Sequence, residues 1–106
     1  MFFRNSESKI TDCGPGVERK VLAYDKDMMI CEISFEKGGE GKPHNHPHIQ
    51  SSYIIEGSFL FTVGDETQVL NSGDSVFIPS DVSHGVKCLE KGKLLDVFSP
   101  MREEFV

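Results

Sequence analysis

A chain of 106 residues fits one folded domain and leaves no room for a second. Its formal net charge of −6 and its pI near 5.1 argue against a nucleic-acid partner, which needs a basic face. No apolar run approaches the ~18 residues of a transmembrane helix, and three cysteines without C-x-x-C spacing fit a reducing compartment better than a disulfide framework.

Residues 1–16 read as a loosely ordered N-terminal arm ending in the breaker Gly14-Pro15-Gly16. The arm has neither an apolar signal-peptide segment nor a small-residue cleavage site, so a cytoplasmic location is expected. Val21–Tyr24 is predicted as a first strand. Met28–Phe35 is a stronger one, with Met29, Cys31, Ile33 and Phe35 alternating on one face. Lys37 to Gly41 reads as a loop and is followed by a cluster of histidines. Strands are then expected at 51–56 and 58–63, joined by a tight turn at Gly57, and at 67–70 after the hairpin signal Gly64-Asp65. Asn71-Ser72-Gly73-Asp74 is another turn, and Ser75–Ile78 is a strand stopped by Pro79. Strands at 82–88 and 93–98 follow, separated by a turn at Lys91-Gly92. Residues 99–106 form a tail or short helical turn. No ten-residue helical stripe is present, so eight or nine short strands imply an all-β sandwich, jelly roll or barrel. Cys31 and Cys88 fall in strands and read as small core residues.

Three of the four histidines lie within five residues, in His44-Asn45-His46-Pro47-His48. On an extended chain, residues two apart share a face, so His44 and His46 can present their rings side by side. His48 would continue that face, but Pro47 disrupts the alternation. Gln50 follows, and His84 comes after the breaker Pro79-Ser80-Asp81. Imidazole nitrogens suit Zn, Ni, Fe or Mn, and an amide oxygen can complete the shell. His44, His46, Gln50 and His84 are all uncharged donors. They would leave the full charge of one divalent ion available to polarise an anionic oxygen.

The spacing from Gly38 to Gly57 resembles the first motif of the cupin family. That motif is Gly, five residues, His-x-His, three residues, an acidic ligand, six residues, Gly. Here Gln50 stands in place of the acid. The second cupin motif is matched at Gly73, Pro79 and His84, with Asp81 and Cys88 replacing its usual Gly and Asn. The resemblance implies a double-stranded β-helix, or jelly-roll barrel, over residues 1–106, and metal ligation by the four named donors.

Near the C-terminus, Leu94, Asp96 and Phe98 share a strand face. An acid between two large apolar residues is either a buried carboxyl with a perturbed pKa or a solvated residue on a half-exposed face. Arg102 is by itself uninformative. Taken with Gln50 and the histidines, the ending Asp96-Val97-Phe98-Ser99-Pro100 and Arg102 resembles the small pectin-degradation cupins. Members of that family open unsaturated monouronate sugars to linear keto forms. The likeness implies that Asp96, Phe98 and Arg102 are active-site residues and that the ligand is a small anionic sugar. The alternatives are a metal-dependent cupin dioxygenase and a non-enzymatic sugar- or metal-binding module. A homodimer is expected, with Val17–Tyr24 as the pairing edge.

Overall fold

The computed structural model describes residues 1–106. Eight strands run in the order β1 (Ile10–Asp12), β2 (Val17–Asp25), β3 (Met28–Phe35), β4 (Glu40–His44), β5 (Ile49–Val63), β6 (Glu66–Asn71), β7 (Ser75–Ile78) and β8 (His84–Ser99), with 3-10 turns at Asn5–Glu7 and Glu103–Phe105. All pairings are antiparallel. The fold is the all-β jelly roll implied by the motif spacing.

The two longest strands organise it. The first half of β5 pairs with the second half of β8, and the second half of β5 with the first half of β8. One end of this ribbon is extended by β3, β2 and β1 on one side and by β7 on the other. The opposite end is extended by β4 and β6. The residues around Gly57, and those around Gly92, were each expected to form a turn between two strands. Instead each pair of segments is a single strand carrying a register shift. The cause is the crossing of Gly57 and Gly92. A Cβ on Gly57 would lie 2.6 Å from the Glu90 carbonyl oxygen, one on Gly92 would collide with the Glu56 carbonyl, and Gly57 has φ +91°. Two glycines thus let the ribbon bend sharply without breaking.

Other boundaries also moved. The stretch read as an arm contains β1, which pairs with β2 at Glu18, Arg19 and Lys20. Over those residues β2 is therefore flanked on both sides, by β1 and β3, and is not the free edge expected for Val17–Tyr24. β2 starts at Val17 rather than Val21, and part of the predicted 37–41 loop belongs to β4.

The barrel interior is filled from alternating positions. Val17, Phe35, Ile54, Phe59, Phe61, Cys88 and Leu94 form one buried cluster, in which the rings of Phe35 and Phe59 meet edge to face at 5.2 Å. Met29, Cys31 and Phe98 form a second. Both cysteines expected in the core are buried there. No helix is long and apolar enough to cross a membrane.

Candidate metal centre and its surroundings

Pairing of β4 with β8 sets His44 directly opposite His84. His46 sits in the short connection after β4, and the loop before β8 holds it in place. The Asp81 amide donates to the His46 carbonyl at 2.8 Å, and the Ser80 hydroxyl donates to the Pro47 carbonyl at 2.6 Å. Asp81 adopts φ +63°. This is the left-handed conformation that the cupin pattern reserves for glycine and that Asp tolerates better than most residues. The two distant histidine segments are thereby stitched together. Ring centroids of His44 and His84 are 4.6 Å apart, those of His46 and His84 4.9 Å, and those of His44 and His46 5.5 Å. One nitrogen from each ring lies within 4.8 Å of the others, which positions the three to hold a metal ion.

Hydrogen bonding shows which nitrogens face inward. His84 Nδ1 donates to the Val82 carbonyl at 2.9 Å, leaving Nε2 buried without a partner. His46 Nδ1 donates to the His48 carbonyl at 3.0 Å, so its Nε2 also presents a lone pair. That Nε2 lies 3.0 Å from Gln50 Oε1. The Gln50 amide is oriented by its other end. Ser52 Oγ is 2.6 Å from Asp96 Oδ1 and gives its only proton to that carboxylate. Ser52 can then only accept from Gln50 Nε2, 3.0 Å away. Gln50 Oε1 and His46 Nε2 are therefore two acceptors in contact, an arrangement a bound cation relieves. The donor set fits a divalent transition metal on this ground and on the unpartnered Nε2 of His84. The His44 pKa is pushed down to about 4, first by burial and then by His84 and His46. That of His46 is lowered by burial and by the Arg102 charge. At neutral pH both rings are uncharged, the form a metal requires.

His48 is turned elsewhere: its Nε2 donates to the Met101 carbonyl at 3.1 Å. That contact helps to fold the C-terminal segment back over the barrel. Tyr53 is largely exposed and does not line the site.

Pairing places Asp96 of β8 between Cys31 of β3 and Ser52 of β5. Leu94, Asp96 and Phe98 are all buried on the inward face, with Asp96 9% exposed. Of the two readings open from the sequence, the buried carboxyl is the one observed. Burial pushes the Asp96 pKa up to about 6 against the hydrogen bonds from Ser52 and Gln50 and the charge of Arg102. Phe98 lies edge-on to His46 at 5.8 Å, and the Arg102 guanidinium is 5.2 Å from the Phe98 ring. His44, Gln50, His84, Asp96, Phe98 and Arg102 all line one cavity of about 150 Å³. A larger cleft of about 560 Å³, walled by Asp12, Glu36, Glu56 and Lys91 among others, gathers no comparable set of donors.

Two residues of the site, Ser52 behind the Gln50 amide and Arg19, were not singled out from the sequence. Ser52 was hidden because a lone serine in a strand carries no signal, although its place two residues after Gln50 puts both on one face. Arg19 lines the cavity. Its signal is the alternation Val17, Arg19, Val21, which places a cation at an inward position. The late start predicted for β2 concealed it.

A barrel in which the β4–β8 pairing and the connection after β4 bring three imidazoles together has the architecture of the cupin metal proteins, and the family model for the cupin domain matches residues 31–98. The chain belongs to the cupin family. Over 99% of its length and 97% of the relative's, it is 36% identical to the pectin degradation protein KdgF of Dickeya dadantii. The solved structure of KdgF from a Halomonas species superposes with a TM-score of 0.94 at 34% identity, covering 100% of both chains. An RmlC-like cupin from Shewanella frigidimarina superposes equally well, with a TM-score of 0.94 at 43% identity, over 99% of this chain and 95% of that one.

Proposed function

We propose that this chain is a pectin-degradation enzyme of the KdgF kind. In this reading it opens unsaturated monouronate sugars to linear keto forms, using one divalent metal ion held by His44, His46, Gln50 and His84. The observation that carries it is the continuous chain from the Asp96 carboxyl through Ser52 to the Gln50 amide. It joins an acid–base group to the histidine cluster inside one cavity. The near full-length likeness to KdgF supports the same reading.

When bound, the metal supplies Lewis acidity toward a substrate oxygen beside the carboxylate. Arg102 offers a two-pronged donor to the carboxylate itself. With a pKa near 6, Asp96 is ionised at neutral pH yet weakly held, and so suited to take a proton from a ring hydroxyl or an attacking water and return it later. Loss of the proton from the anomeric hydroxyl forms an aldehyde as the ring C–O bond breaks, and the enolate released takes the proton back from Asp96 at its far alkene carbon, which leaves the keto group. Phe98 walls the cavity and excludes water from the ring. At about 150 Å³ the cavity is smaller than the ~300–1,000 Å³ of drug-sized sites, which favours a single sugar ring over an oligosaccharide. The protein would act in the cytoplasm as a homodimer.

The test is elemental analysis of purified protein, followed by incubation with unsaturated galacturonate while its conjugated-alkene absorbance is monitored. Loss of absorbance without oxygen uptake supports the reading and excludes a dioxygenase. Absence of turnover with Zn, Ni, Fe and Mn each supplied in turn overturns it.

A further inference from the structure

Arg19 is an inward-facing cation with no counter-charge. It projects from β2 between Val17, which is buried, and Val21, which is half-buried. Its Nε is buried and has no hydrogen-bond partner. The ion pairs of the protein are Lys91–Glu36 and Arg102–Glu104, so none of the 17 acidic side chains neutralises Arg19. What holds its guanidinium is an aromatic face: Cζ lies 3.6 Å from the centroid of Phe105, in the C-terminal 3-10 turn. The same ring has Arg102 Cζ at 4.5 Å. One phenyl ring thus carries two guanidiniums at the rim of the cavity that holds His44, His84 and Asp96.

Burying one unpaired cation is costly, and gathering two around one ring adds mutual repulsion. Cation–π attraction of ~0.5–2 kcal/mol offsets only part of this. The arrangement becomes favourable when an anion enters between the two forks. We propose that Arg19 is a second carboxylate-reading residue, positioned by Phe105, that takes the acid group of a monouronate jointly with Arg102 and so selects uronates over neutral sugars. This rests on the function proposed above and names what distinguishes its substrate. A neutral sugar of the same shape leaves the Arg19 guanidinium uncompensated, which is a strong basis for rejection.

The test uses metal-loaded, full-length protein. Binding of D-galacturonate and of its uncharged methyl ester is measured by NMR titration. The rate and KM of unsaturated galacturonate opening are measured alongside. In the expected result the wild type prefers the acid to the ester. Arg19→Met weakens galacturonate binding and raises KM by about 10–100-fold, the range of one charge-assisted hydrogen bond, while ester binding and kcat change little. Arg19→Lys recovers part of the loss. Phe105→Leu, which leaves both charges in place, moves KM the same way by less. Wild-type affinity for galacturonate in Arg19→Met overturns the inference, as does an equal loss of acid and ester binding. If Arg19→Met does not fold, an unchanged KM in Phe105→Leu overturns it instead. Preference for the acid that depends on Arg19, without turnover of the unsaturated sugar, supports the inference and removes only the proposed reaction. Turnover with a KM indifferent to Arg19 does the opposite.

Discussion

Asp96→Asn should move stability and activity in opposite directions. The wild-type carboxyl titrates near 6 rather than at its usual 3.8 because it is buried. The folded state therefore holds the proton more tightly than the unfolded chain does. Stability from this group is complete below about pH 4 and is lost as pH rises through about 6. A displacement of roughly two pH units, at ~1.4 kcal/mol per tenfold, comes to about 3 kcal/mol that the ionised form costs at pH 8. Asparagine keeps an oxygen to accept from Ser52 and carries no charge, so it escapes that cost. In chelator-treated protein, thermal unfolding should show the variant melting roughly 10 °C or more above wild type at pH 8, with the gap closing by pH 4. In metal-loaded protein, turnover should fall by roughly 10²–10⁴-fold. A variant whose stability tracks wild type at every pH would refute the claim that burial perturbs this carboxyl. Wild-type turnover would refute its role as the proton-transferring group.

Ser52→Ala removes the hydroxyl that joins Asp96 to Gln50. Metal affinity measured by calorimetry should drop about 10–100-fold, and unchanged affinity would mean that Gln50 needs no such orientation. Supplying Zn or Ni at about 100 times its dissociation constant should stabilise the protein by about 2.7 kcal/mol, and His84→Ala should abolish the effect. That metal-dependent rise in melting temperature should weaken in acid, as the ligand imidazoles take up protons in place of the ion. It should be gone at about pH 4, where His44, held neutral longest by its burial, also takes up a proton. Gly92→Ala, outside the lining of the cavity, should cost about 1–3 kcal/mol or more, because the new methyl meets the Glu56 backbone; denaturant midpoints measure this.

Much of the histidine cluster was legible because its members are read by spacing. Residues two apart on an extended chain share a face whatever surrounds them, and the interval from Gly38 to Gly57 left little freedom. The replacement of glycine by Asp81 preserved the pattern because Asp can enter the left-handed region. The continuity of β5 and β8 was not legible: glycine at a bend and glycine at a turn look alike in sequence, and only the facing glycine on the partner strand separates them. Whether Asp96 was buried depended on the neighbours at Cys31 and Ser52 that its own strand does not reveal. Arg19 and Phe105 meet from opposite ends of the chain, and such long-range pairs leave no local trace.

The bent strand β8 begins with His84 and reaches Asp96 and Phe98 near its end. In the proposed function, the group that would grip the ion and the group that would handle the proton are consequently two stations on one lever, with Gly92 as its elbow. Any change that alters the angle at that elbow must swing both stations together, so substrate geometry can be retuned from a point that never touches the sugar.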